Sequence, residues 1–148
     1  IANSLHLEHI DVGGVGGTLA GNALSMAAIR ATLTEVLTEE AFERMEQLCT
    51  VWTNDVQEII DEFNIPWQVS QLGCRAEYSF RSTAPRTGKE AADADDFELQ
   101  QYLHLHAINR GVLMTPFHNM ALISPATTLE DVKRHTDHFR DAAKALFS

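Results

Sequence analysis

Nine apolar residues, Phe42, Met45, Leu48, Cys49, Trp52, Val56, Ile59, Ile60 and Phe63, recur at helical spacing with almost no interruption. Thr38 followed by Glu39 and Glu40 marks the start of this helix, since acidic groups favour the positive end of the helix dipole. It has to end before Pro66, which has no N–H to continue it. A helix this long with one apolar stripe must bury that stripe against a second layer, so whatever surrounds it is arranged to cover it. With 148 residues, 45% of them hydrophobic, the chain can build that layer: a domain of this size buries about 68–70% of its unfolded surface.

The flanking segments suggest what the layer is. Asn22 is a candidate N-cap for an alanine-rich helix through Leu37, with small residues that let another backbone approach. Beyond Pro66, Trp67, Val69, Ala76, Tyr78 and Phe80 alternate with polar residues, which predicts two short strands, or one bent strand, interrupted at Gly73; Arg75 and Glu77 share the opposite face. Residues 81–94 carry turn chemistry and are expected to be a loop, the most mobile of the chain. Asp95 or Asp96 caps a third helix through Asn109, with Phe97, Tyr102, Leu103, Leu105 and Ile108 as its apolar surface and Gly111 as its stop. Val112–Met114 and Met120–Ile123 read as short strands, and Thr128 opens a last helix with a stripe of Val132, His135, Phe139, Ala142, Ala143 and Leu146. The fold class is α+β, long helices on one side of a small, mainly antiparallel sheet, with strand order left open.

Charge and composition narrow the function. A net charge of −10 and a pI near 5.0, with acidic residues spread along helices, exclude nucleic acid binding by a basic surface. No apolar run approaches the ~20 residues of a membrane span. Cys49 and Cys74 lack metal-type spacing and are expected to be reduced and buried, which points to the cytoplasm. Histidines two or three apart on the third and last helices do not gather a metal set, so no metal is expected. The chain opens at Ile1, and residues 5–10 alternate like a strand already in progress, which predicts the later portion of a longer polypeptide.

Three features can carry chemistry. Residues 11–22, Asp-Val-Gly-Gly-Val-Gly-Gly-Thr-Leu-Ala-Gly-Asn, form a glycine-rich turn running into a helix, and backbone N–H groups there suit an anion such as phosphate. The stretch matches neither nucleotide-binding glycine motif, and a plain turn is the alternative. Arg75, on a strand with Tyr78 and Phe80, suits either a substrate carboxylate or an ion pair with Glu77 or an acidic helix. His118, beside Asn119 in a tight connection, is either a site residue or a structural histidine. No G-x-S-x-G elbow accompanies the serines.

Gly16-Gly17-Thr18-Leu19-Ala20-Gly21-Asn22-Ala23-Leu24-Ser25-Met26-Ala27-Ala28 resembles the G-T-x-[SA]-G-N-P-L-[SA]-x-A-A signature of class III pyridoxal-phosphate-dependent aminotransferases, with Ala23 where proline is usual. Residues 109–114 and 123–128 resemble the family's last strand pair and the start of its closing helix. Asp11-Val12-Gly13-Gly14, residues 72–78 and Thr115-Pro116-Phe117-His118-Asn119-Met120 are most similar to the branch of glutamate-1-semialdehyde aminomutases and β-amino-acid (β-phenylalanine type) aminotransferases.

The resemblance implies a fold-type I enzyme, of which residues 1–37 would end the large domain and residues 38–148 would form the C-terminal small domain. It implies pyridoxal 5'-phosphate as cofactor and a homodimer, in which Gly17 and Thr18 contact the cofactor phosphate of the neighbouring subunit. Arg75, His118, Asn119 and Met120 become candidates for substrate binding. The Schiff-base lysine and the pyridine-nitrogen aspartate of the family lie upstream of the signature, so no catalytic residue is expected within residues 1–148. Aminomutases often carry glutamate at the position of Asn119, and its absence favours transamination between an amino acid and a keto acid over an aminomutase. A non-catalytic binding module on the same fold is a third reading.

Overall fold

The computed structural model describes residues 21–115 and 118–147. The Gly17–Thr18 turn and the strand-like residues 5–10 lie outside the described residues. The chain divides into two units, residues 1–38 and 39–148.

In the first unit, α1 (Ala23–Ala31) starts where expected: Asn22 caps it, its Oδ1 accepting the Ser25 N–H at 3.0 Å. The expected single helix through Leu37 is instead α1 followed by a π-helical turn, Thr32–Val36, in which the Leu37 N–H reaches the Thr32 carbonyl at 2.9 Å. The Thr34 hydroxyl donates to the Arg30 carbonyl at 2.9 Å, a side-chain bond that competes with the regular ladder here.

The second unit is built on α2 (Glu39–Glu62). Met45, Cys49, Trp52, Val56, Ile59 and Ile60 are buried, each large side chain stabilising by about 1.5–3 kcal/mol, while Phe42, at the N-terminal end of the same stripe, is exposed. The helix stops before Pro66, and Asn64 is what stops it. Asn64 is left-handed, at φ 52°, and the Ile65 N–H returns to the Ile60 carbonyl while the Asn64 N–H reaches Asp61. Ile60 and Ile65 both enter the core, which seals this end.

Strands β1 (Gln68–Leu72), β2 (Arg75–Ser79) and β3 (Met120–Leu122) form one antiparallel sheet in the order β1-β2-β3. Gly73, at φ 57°, is the first residue of the two-residue connection between Leu72 and its partner Arg75, the position where glycine adopts left-handed backbone without strain. Ala76, Tyr78 and Ala121 face the helices and are buried, as the alternation requires. Tyr78 stacks on Trp67 with ring centres 6.0 Å apart and lies 5.0 Å from Phe139. The expected strand at Val112–Met114 is not formed; β3 pairs with β2 alone.

Residues 81–94 are not wholly loop. They contain α3 (Gly88–Ala92), capped by Thr87 and tied back by Arg81, whose Nη1 donates to the Glu90 carbonyl at 3.1 Å. Helix α4 (Phe97–Ile108) is capped by Asp96 and ends at Gly111, φ 81°, with the Val112 N–H on the Ala107 carbonyl. Its expected apolar surface is largely outside the core: Leu103 is buried, but Phe97 and Leu105 are 70% and 57% exposed. Helix α5 (Leu129–Phe147) opens with a reciprocal cap between Thr128 and Asp131. Its stripe is buried except for Leu146, which lies near the helix end. Both cysteines are free; Cys49 is buried, but Cys74, placed in the β1–β2 connection, is only half-buried. Among the described residues no helix is long and apolar enough to cross a membrane.

Candidate substrate-binding site

Alternation along β2 places Arg75 and Glu77 on the face of the sheet turned away from the helices, and the β2–β3 register sets Met120 opposite Glu77. His118, two residues ahead of Met120 at the start of β3, comes to the same place. Glu77 joins the group: its Oε2 accepts from Arg75 Nη2 at 3.2 Å, and its Oε1 lies 3.9 Å from His118 Nδ1. Arg75 therefore forms the ion pair with Glu77 that was one of its two sequence readings. The pair leaves the other open, because the Arg75 side chain is 53% exposed. An exposed ion pair contributes only about 0–1 kcal/mol, so an incoming carboxylate can take the place of Glu77 at little cost.

Asn119 is separated from this group. It is 8% exposed, and its carbonyl accepts the Tyr78 N–H at 3.2 Å, which fastens the entry to β3 against β2. The four candidates thus divide: Arg75, His118 and Met120 gather around Glu77, while Asn119 lines the interior beside them. A cleft of about 310 Å³ runs here, bordered by Ser70, Glu77, Ser79, Asp95, His118 and Asn119. Its walls are mixed, with Tyr78, Phe80, Pro85 and alanines beside those polar groups, and Arg75, two residues from Glu77 on β2, lies outside the lining. Glu77 as the centre of the group was not legible as such; the sequence showed it on the face of Arg75, but His118 reaches it only through the β2–β3 pairing.

On the helix side, Trp52 Nε1 donates to His135 Nδ1 at 2.8 Å. Burial and the nearby His138 push the His135 imidazole down to about 4, so it is neutral with its proton on Nε2. Burial also raises the Tyr78 hydroxyl well above its usual range and lifts the Cys49 thiol to about 11. These groups are structural in character. Among the described residues no three His, Cys, Asp or Glu side chains converge as a metal set.

No family model matches the chain. It is 30% identical over 133 residues to glutamate-1-semialdehyde 2,1-aminomutase 2 of Brevibacillus brevis, covering 88% of this chain and 30% of that protein. Among solved structures it is similar to a variant glutamate-1-semialdehyde aminomutase of Pseudomonas aeruginosa PAO1 in complex with PMP, with TM-score 0.84 and 47% identity over 94% of this chain and 30% of that one. A β-phenylalanine aminotransferase of Variovorax paradoxus shares the fold at TM-score 0.76 and 21% identity, covering 97% of this chain and 34% of that one. The chain spans about a third or less of the length of the proteins it matches. With the glycine-threonine signature, the helices on a three-stranded antiparallel sheet and these likenesses together, the chain corresponds to the C-terminal portion of the class III pyridoxal-phosphate-dependent aminotransferases.

Proposed function

We propose that residues 1–148 belong to an enzyme that moves an amino group with pyridoxal 5'-phosphate, by transamination between an amino acid, including β-amino acids, and a keto acid. In this reading residues 1–37 end the large domain and residues 38–148 are the small domain of a cytoplasmic homodimer. The cofactor serves as electron sink when bound. What this chain contributes is binding and orientation. In sequence, the glycine-rich stretch ending in Thr18 precedes α1 by a few residues, and glycine N–H groups with a threonine hydroxyl ahead of a helix start are the chemistry a phosphate takes. Gly17 and Thr18 would hold the phosphate of the neighbouring subunit.

Arg75 would bind the substrate carboxylate, with Glu77 keeping the guanidinium in place until substrate arrives. His118 and Met120 flank it, while Asn119, a neutral amide, is turned to the interior. Where the resemblance leads an aminomutase to carry glutamate this chain has the neutral Asn119, and that residue is the observation that favours transamination over the alternative. The alternative, a glutamate-1-semialdehyde 2,1-aminomutase, is favoured by the names of the relatives at 30% and 47% identity.

Assaying the intact enzyme with β-amino acids plus a keto acid, and separately with glutamate-1-semialdehyde, distinguishes the two. Turnover of the former is expected, and turnover of glutamate-1-semialdehyde alone would overturn transamination. Thr18→Val should weaken cofactor retention in the same protein; unchanged cofactor affinity would remove the phosphate role.

A further inference from the structure

Between α4 and α5 lies a small cavity lined by Tyr78, His104, His135, His138, Asn119 and Thr115, among others. It leaves about 20 Å³ for the centre of a water-sized sphere, and one buried water needs about 10–15 Å³ by that measure. Two of its imidazoles are unsatisfied: His104 Nδ1 and His138 Nδ1 are buried and have no hydrogen-bond partner among the described residues. A third has its tautomer set from outside the cavity. Trp52 Nε1 donates to His135 Nδ1, which leaves the His135 proton on Nε2 as a donor.

We infer that this cavity is a binding site for one ordered water, which bridges His104 on α4 to His138 on α5. The donor and acceptor count closes. The two O–H groups of the water donate to the two Nδ1 acceptors, placing the imidazole protons of His104 and His138 on Nε2, and a lone pair remains for the His135 N–H. Three hydrogen bonds is the usual number for a buried water, and each orphaned imidazole nitrogen it satisfies would otherwise carry a desolvation penalty. The alternative of a dry void requires an apolar lining, which three histidines do not provide. The water makes α4 a bonded partner of α5, although most of the apolar surface of α4 is exposed.

A high-resolution crystal structure of the intact protein tests this directly. The expected result is oxygen density at about 2.7–3.2 Å from both Nδ1 atoms. A collapsed cavity, direct contact between the imidazoles, or density on one nitrogen or neither overturns the bridge. In His138→Leu the density should be lost with α4 and α5 still in place; density persisting at an unchanged position would remove His138 from the site. His104→Gln, whose side-chain oxygen can accept, should retain the water, and it keeps the test informative if His138→Leu does not fold.

Discussion

Replacing His135 by glutamine should remove a specific acid sensitivity. The His135 imidazole, 6% exposed, drops from its ordinary 6.5 to about 4 in the folded chain. Between those values the unfolded state binds a proton that the folded state refuses. Stability therefore falls as pH falls from about 6.5, and the loss is complete near the folded value of about 4. The slope is about 1.4 kcal/mol per pH unit, giving about 3 kcal/mol across the window. Glutamine cannot titrate, yet its side-chain oxygen can still accept from Trp52 Nε1. Urea unfolding followed by tryptophan fluorescence, for both proteins at several pH values between about 4 and 8, should show the difference in unfolding free energy changing by about 3 kcal/mol. The wild-type protein loses its relative advantage toward acid. Asp131, held below the usual carboxylate range by its Thr128 hydrogen bonds, titrates beneath this window and is common to both proteins. A difference that stays constant with pH would refute the assignment of a buried neutral His135.

Gly73→Ala should destabilise by about 1–2 kcal/mol in thermal or urea unfolding, the usual penalty for a left-handed alanine. The added Cβ would meet Glu46 Oε1 only at an ordinary 3.6 Å, so a much larger loss would contradict a purely backbone cause. Thr128→Ala should cost about 0.5–2 kcal/mol through loss of the α5 cap, and unchanged stability would show that α5 is held by packing alone. A thiol reagent under native conditions should label Cys74 before Cys49, since Cys49 is fully buried and its thiol sits at about 11; mass spectrometry of the labelled peptides reads the order. Arg75→Met in the intact enzyme should raise KM for a carboxylate substrate more than it lowers kcat, and an unaltered KM would exclude Arg75 from substrate binding.

Most of the elements were legible in the residues because their signals are local. Asn22, Asp96 and Thr128 cap helices where a side-chain oxygen precedes a periodic run, and Gly73 and Gly111 take the positive φ that their turns require. The stripe from Met45 to Ile60 is buried because helical spacing alone puts those residues on one side. Local rules also have limits. Val112–Met114 has strand-like composition and forms no strand, because composition alone does not set pairing, and the free edge of β3 is left without a partner among the described residues. α2 ends before Pro66 as expected, and the left-handed Asn64 that closes it, with Ile65 turned back into the core, is the detail that the proline did not specify.

The candidate site divides along the same line. Arg75 and Glu77 share a face by the period of two, so the sequence offered their ion pair as one of the readings left open for Arg75. The arrival of His118 and Met120 beside them, and the turning inward of Asn119, depended on β3 pairing with β2 in one register, and residues some forty positions apart carry no local signal for that. What the sequence by itself determined was the set of elements and the glycine-threonine signature. Tertiary structure alone decided which polar groups meet: Glu77 between Arg75 and His118, and Trp52 on His135. Glu77 and His118 are brought together by the pairing of β3 with β2, and Trp52 and His135 by the packing of α2 against α5 in the shared core.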